Sequence, residues 1–227
     1  YSEEDYEKRP LFPSPDILRT NLAEVILRML SLHLGDISAF PFIDPPGPRA
    51  IRDGMNLLRE LGAVEKATRN SDEADTGSFR LTEQGRRMAR LPIDPRISRM
   101  VLEAEKENCV DEVTVIASAL SVQDPRERPL DQEQQADQVH APFRDPTSDF
   151  ITLLRIWKHY HGGRDSLHTQ NRMRKFCRKH FLSYRRMREW QDVHDQIRRI
   201  IDEQHVKKKP VKENTQNMER LNAGIHR

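Results

Sequence analysis

Cysteine is scarce in this chain of 227 residues: only Cys109 and Cys177 occur, and neither lies in a CxxC or Cys/His spacing that would hold zinc. A disulfide framework and a structural zinc site are thereby excluded, and both thiols, set in apolar helical patterns, read as core residues. Such usage fits an intracellular compartment. No stretch approaches ~18 uninterrupted apolar residues, so no membrane span is expected. Also missing are a GxxxxGK[ST] phosphate loop, a GxGxxG after a strand, a serine nucleophile elbow and an HExxH helix. Without these the chain has no means of holding ATP, and its scattered acidic residues form no catalytic pair. No catalytic, cofactor-binding or metal-binding residue is expected. His159 and His161 make an HxH at a helix end, but with no acidic or cysteine partner nearby they read as surface residues. No internal repeat is found, and no signal peptide is visible in these residues. A start at Tyr1, without methionine or a basic and apolar leader, suggests a piece of a longer polypeptide.

What is present is charge, unevenly placed. From Arg164 to Arg227 there are 17 Lys and Arg against 8 Asp and Glu, whereas the whole chain is only +2. The basic excess is therefore entirely C-terminal. A concentrated positive region attracts polyanions, because neutralising a phosphate backbone releases its condensed counterions. The plainer alternative is a solvated helix face followed by a tail.

The most informative run is PRAIRDGMNLLRELGAVEKAT followed by GSFRLTEQGRRMARLPIDPRISRMV. Ile51, Met55, Leu58 and Leu61 recur at helical spacing, with Pro48 near the start and Gly62 just past the end. Ala63, Val64 and Lys66, then a polar tip from Arg69 to Gly77, then Phe79 to Thr82, read as a hairpin. Helix, strand, loop, strand and helix in that order predict a winged helix. Before it, Ser14 and Pro15 start a helix with Leu22, Val25, Ile26, Met29 and Leu30 on one face. Gly35 follows that helix, and the proline-rich FPFIDPPGP forms a rigid connector.

From Asp94 onward no further strand signal appears, and the pattern predicts an all-helical bundle. Ile97, Met100, Val101 and Ala104 form one stripe. Asp111 caps a second helix carrying Val113, Ile116, Ala119 and Leu120; Ser148 caps a third whose aromatic stripe through Phe150 and Trp157 reads as core. Later stripes hold Met173, Phe176 and Cys177, then Tyr184, Met187, Trp190, Ile197 and Ile201. The polar insert QDPRERPLDQEQQADQVHAPFRDPTSD reads as a long loop, and loops of that length inside a bundle are usually functional. The fold class is thus mainly α: a winged helix with a small β-hairpin wing, then a helical bundle. The expected units are 1–13, the end of a preceding domain; 14–93, the winged helix; 94–206, the bundle; and 207–227, a basic linker.

The segments LRTNLAEVILRMLSLHLGDISAFPFIDPPGPRAI, LTEQGRRMARLPIDPRISRMV, ALSVQDPRERP, DPTSDFITLLRIW and RKHFLSYRRMREWQDVH resemble, in the same order, the C-terminal accessory region of DEAH-box ATP-dependent RNA helicases. The bacterial HrpA-type branch is the best match, and the likeness runs from Tyr1 to about Glu203. In that family two RecA-like domains hydrolyse ATP, and a winged helix, a ratchet bundle and an OB-fold follow. YSEEDY resembles the end of the second RecA-like domain, and the final IHR the approach to the OB-fold. The resemblance implies an accessory region without ATPase activity of its own, in a parent enzyme that uses ATP and Mg. It implies as partners single-stranded RNA and the motor domains and OB-fold of the same chain, in a cytoplasmic monomer with no membrane association.

Arg126 and Arg128, beside prolines in DPRERP, place two guanidinium groups on a restrained backbone where they can clamp phosphates; the alternative is a local ion pair with Asp124 or Glu127. In RKHFLSYRRM, cations cluster at a junction between helices, and the resemblance implies that His180, Ser183 and Arg186 face RNA. Asp149 is a further RNA-binding candidate, with first-turn charge as its plainer role. A different class of function also fits a winged helix, namely a duplex-DNA-binding regulator with a helical dimerisation domain. A third is a protein-docking platform. The second helix, exposing Arg49, Arg52, Asp53, Asn56, Arg59 and Glu60, carries less positive charge than duplex reading requires.

Overall fold

In a computed structural model of the chain the described residues are 22–66, 79–166 and 169–208, without the side chains of 163–166 and 205–208. The expected preceding domain end, the Ser14 cap, the wing tip and most of the basic linker lie outside them. Helix α1 (Ala23–Ser31) buries Ala23, Ile26, Leu27 and Met29. It packs on α2 (Pro48–Glu60), which starts with proline in its first turn and buries Leu57 and Leu58. Strands β1 (Val64–Lys66) and β2 (Phe79–Leu81) pair antiparallel, with Val64 opposite Leu81 and Lys66 opposite Phe79. Thr82, expected to extend the second strand, instead caps α3 (Glu83–Met88) by accepting the Gly85 amide at 2.9 Å. The winged-helix order is therefore present.

The bundle opens with α4 (Pro95–Ala104), capped by Asp94 through the Arg96 amide. At its centre lies α5 (Val110–Leu120), every residue of which from Thr114 to Ala119 is buried. A helix enclosed on all sides shows no stripe. Hence on α5 Val115 and Ala117 join the core while Leu120 turns outward; on α4 Met100 turns outward and Leu102 takes a core place. Asp111 lies in the first turn of α5, not at its cap position, which Cys109 occupies. The polar insert is not one loop: it contains α6 (Glu133–His140) and a 3-10 turn (Ala141–Phe143), anchored by buried Ala136, His140 and Phe143. Helices α7 (Asp149–Ser166), α8 (Gln170–Lys179) and α9 (Tyr184–Lys208) complete the bundle.

Four helices end by one device. His33, Gly62, Asn108 and Phe181 adopt φ between 51° and 68°. In each case the next amide bonds back to the carbonyl five residues earlier, at 2.8 to 3.1 Å. Only one of the four is glycine, the residue that sequence reading looks for. At α1 the stop is His33, and Gly35 follows it.

Two apolar clusters form the interior. One joins the winged helix (Leu22, Leu58, Val64, Met88, Leu91) to Val101, Leu102, Ala117, Ile197 and Ile201 of the bundle. The other gathers Val115, Ile156, Tyr160, Cys177, Met187 and Trp190. Helix α9 enters both. The contact between winged helix and bundle is further held by Arg87 of α3, whose guanidinium pairs with Glu105 and donates to Gln204 Oε1 at 2.6 Å. Trp190 donates its indole N–H to Val115 O and Ser118 Oγ, both at 3.0 Å, so its burial leaves no polar atom unmet. Cys177 is buried as expected, and burial pushes its thiol up to about 11, with Glu127 adding to the rise. Among the described residues no helix is long and apolar enough to cross a membrane, and no cluster of ligating side chains could hold a metal.

Candidate nucleic-acid interface

The DPRERP segment and the turn between α8 and α9 are stitched together by backbone hydrogen bonds. Ser183 N donates to Pro125 O at 2.7 Å, Glu127 N donates to Phe181 O at 2.8 Å, and Arg126 and Leu182 form an antiparallel bridge. The stitching follows from local geometry: Phe181 in the left-handed region turns the chain sharply, leaving its carbonyl and the Ser183 amide without helical partners. A proline-flanked extended segment meets them. His140 of α6 supports the same turn, donating from Nε2 to His180 O and Phe181 O, each at 3.1 Å.

Three of the six sequence candidates, Arg126, Ser183 and Arg186, meet on this rim. Arg186 Nη1 donates to Asp124 O at 3.0 Å, tying α9 to the loop. Arg126 is chelated by Asp124, with Nε at 3.0 and 3.1 Å from the two carboxylate oxygens and Nη2 at 2.5 Å. The local ion pair weighed as the alternative therefore exists. The hydrogen bond to Asp124 raises the guanidinium pKa, against burial, and Asp149 lies close enough for its charge to raise it further. On Asp124 burial acts upward, but the hydrogen bonds and charge of Arg126 outweigh it and hold the carboxyl below its ordinary range. Ser183, bonded through its amide to Pro125 O, is half-buried.

Asp149 is placed by the turn before α7. The Asp145 carboxylate accepts from the Thr147 hydroxyl at 2.7 Å, the Thr147 amide at 3.0 Å and the Ser148 amide at 3.2 Å, and these bonds lower its pKa. The start of α7 is thus organised by Asp145, which the sequence reading passed over, with Arg155 bound to it at 2.9 Å.

Two candidates stand apart. The Arg128 guanidinium is drawn to α6, 3.0 Å from Asp137 and 3.4 Å from Glu133, and the bond to Asp137 raises its pKa. The His180 ring is turned inward, its Nδ1 donating to Phe176 O at 2.8 Å. It stacks on Phe176 at 4.3 Å and meets His159 edge-on at 4.6 Å. Nor is the HxH pair a surface feature: His159 lies among Phe143, Phe176 and His180 with its Nε2 buried and unpartnered among the described residues. Burial first, then the charge of His180, lowers its pKa. His161 packs on Trp157 at 4.0 Å.

Phe150 was expected in the core and is 45% exposed. The stripe Phe150, Leu153, Leu154, Trp157 runs past the end of the bundle, so its first member overhangs beside Asp149. An apolar residue next to exposed charge is the signal by which it could have been found.

Residues 54–93 match the winged-helix part of the helicase associated domain (HA2), and residues 94–153 its ratchet-like part. Over 203 residues, 89% of this chain, it is 49% identical to the ATP-dependent RNA helicase HrpA of Escherichia coli and to its homolog in Haemophilus influenzae. It is 29% identical over 210 residues to the probable ATP-dependent RNA helicase DHX35 of Homo sapiens. The chain spans 15% of the length of the HrpA relatives and 27% of the length of DHX35. Across residues 54–153 the chain is thus similar to the winged-helix and ratchet-like parts of a helicase associated domain (HA2).

Proposed function

We propose that this chain is the accessory region of an ATP-dependent DEAH-box RNA helicase, guiding single-stranded RNA and coupling motor movement to its translocation. ATP and Mg are bound and ATP is hydrolysed by RecA-like domains elsewhere in the parent protein, a cytoplasmic monomer. Those domains and an OB-fold are its partners within that chain. The observation that carries this reading is the rim on which Arg126, Ser183 and Arg186 converge, with the charge of Asp149 felt at Arg126. An exposed ion pair contributes only about 0–1 kcal/mol. A backbone phosphate can therefore take the place of the Asp124 carboxylate on Arg126 at small cost, while Arg186 supplies a second cation. Asp149 and Ser183 offer acceptors for a ribose 2′-hydroxyl, the group that distinguishes RNA from DNA. Arg128 and His180 hold the loop and the junction in place. Continuity of the core between winged helix and bundle supports the coupling role.

The test is fluorescence anisotropy of this chain with a labelled single-stranded RNA over a salt series. Affinity should fall with salt, and Arg126→Gln with Arg186→Gln should lessen the slope of log affinity against log salt by about 1.4, from about 0.7 per phosphate contact. A salt-independent affinity removes the phosphate contacts. Tighter binding to duplex DNA by a sedimenting dimer would favour the regulator instead.

A further inference from the structure

Helix α8 buries Met173 and Cys177 and half-buries Phe176; its other seven residues are exposed. Five of those are cations (Arg172, Arg174, Lys175, Arg178 and Lys179), the other two are Gln170 and Asn171, and none is acidic or apolar. Elsewhere many surface arginines pair within their own element or with a neighbour, as in Arg28–Glu24, Arg99–Glu103, Arg185–Glu189 and Arg80–Glu65. Those without an ion pair among the described residues, such as Arg52, Arg59, Arg96 and Arg199, are scattered over different elements. None of the five on α8 has a carboxylate within ion-pair reach among the described residues.

The fold gives no reason for Arg172 and Lys175, and for Arg174 only a cation–π contact. Arg178 and Lys179 complement the negative end of the helix dipole, but Arg172 sits in the first turn, where a cation is unfavourable. Arg172 and Lys175, Arg174 and Arg178, and Lys175 and Lys179 repel at three- and four-residue spacing. Arg174 lies with its guanidinium carbon 5.4 Å from the Tyr184 ring centroid, which orients it across to the first turn of α9. What is uncompensated within the chain is suited to something outside it.

We propose that the outward face of α8 is a second RNA-contacting surface, a ramp of phosphate contacts continuing from the rim along Arg172, Arg174 and Lys175. This rests on the RNA reading above and extends it to residues that reading does not use. Two observations select a phosphate backbone over an acidic protein. Protein interfaces centre on apolar anchors and are depleted in lysine, whereas this face has no exposed apolar side chain. Helix α8 also ends at the His180–Ser183 turn, so its row of cations leads away from the rim in the order Lys179, Arg178, Lys175, Arg174, Arg172. Ten residues at 1.5 Å each make the ramp about 15 Å long, room for about four stacked nucleotides.

The experiment measures binding of this chain to a labelled sixteen-nucleotide oligouridine over a salt series. It compares the unsubstituted chain, the ramp variant Arg172→Gln/Arg174→Gln/Lys175→Gln, the rim variant Arg126→Gln/Arg186→Gln, and both sets combined. Glutamine keeps helix propensity, and circular dichroism verifies that α8 stays folded. The ramp variant should lessen the salt slope by about 2, at about 0.7 per charge, and its loss should add to that of the rim variant. Arg172→Lys/Arg174→Lys should restore most of the slope. An unchanged slope in the ramp variant, with a reduced one in the rim variant, overturns the ramp and leaves the rim standing. A reduced slope in the ramp variant with none in the rim variant supports the ramp and removes the rim. Displacement of the RNA by polyglutamate of equal charge as effectively as by unlabelled oligouridine would assign the face to acidic proteins and overturn it.

Discussion

Gly85→Ala tests how the winged helix is held together. A methyl group on Gly85 would come 1.9 Å from the Ala63 carbonyl oxygen, 2.8 Å from its carbon and 3.2 Å from Ala63 Cα, all backbone atoms. Relief requires α3 and the start of β1 to separate by roughly 1 Å, an overpacking strain of about 1–3 kcal/mol. The Ala63 carbonyl is not free to move: it accepts the Thr82 amide at 3.0 Å, while the Thr82 hydroxyl donates to Gly62 O at 2.6 Å and accepts Gly85 N at 2.9 Å. Losing one of these bonds adds about 1 kcal/mol, and alanine's helix propensity returns about 1 kcal/mol. The net expectation is a loss of about 2 kcal/mol. Urea unfolding followed by far-UV circular dichroism should show a lower midpoint at unchanged slope. Gly162→Ala in α7, where a methyl group meets nothing within 4 Å, is the internal standard and should gain about 0.5–1 kcal/mol. A Gly85→Ala chain within about 0.5 kcal/mol of the original, beside a normal Gly162→Ala, would refute the close-approach argument.

Arg87→Met should cost about 3–5 kcal/mol, because it leaves Glu105 and Gln204 facing each other without their shared cation in a site where both charged side chains are 14% exposed. Native-state hydrogen exchange should quicken at the end of α9 before it does so at Trp190; uniform protection throughout would contradict it. His159→Phe keeps the stacked ring and removes a buried nitrogen without a partner, so the urea midpoint should rise by the equivalent of about 1 kcal/mol. Because burial lowers the folded pKa of His159 below its ordinary 6.5, the unfolded chain binds its proton first. Stability should therefore be full above pH 6.5 and decline as pH falls from there to the folded value. His159→Phe should flatten that decline, and an identical pH profile in both chains would exclude His159 as its source.

The winged helix was legible because its signals are local: the Ile51, Met55, Leu58 stripe, Pro48 before it, Gly62 after it. The bundle was legible in class and less so in detail. Helix α5 is enclosed by α4, α7 and α9, so its residues report no face, and α6 is held by the hydrogen bonds of His140 where sequence reading looks for apolar side chains. Helix stops at His33, Asn108 and Phe181 use residues with no glycine signal. For the rim, residue chemistry singled out Arg126 and the family likeness singled out Ser183 and Arg186. Neither shows that a bridge between Arg126 and Leu182 brings them together, since pairing between distant segments leaves no local pattern. The ion pair of Arg128 with Asp137 was hidden for the same reason, since Asp137 lies on a helix that the polar insert did not announce.

Helix α9 is seated in both apolar clusters, through Met187 and Trp190 near one end and Ile197 and Ile201 near the other. Under the proposed coupling role, a displacement of the winged helix would pass through α9 toward the Pro125–Ser183 seam rather than being absorbed between the two clusters.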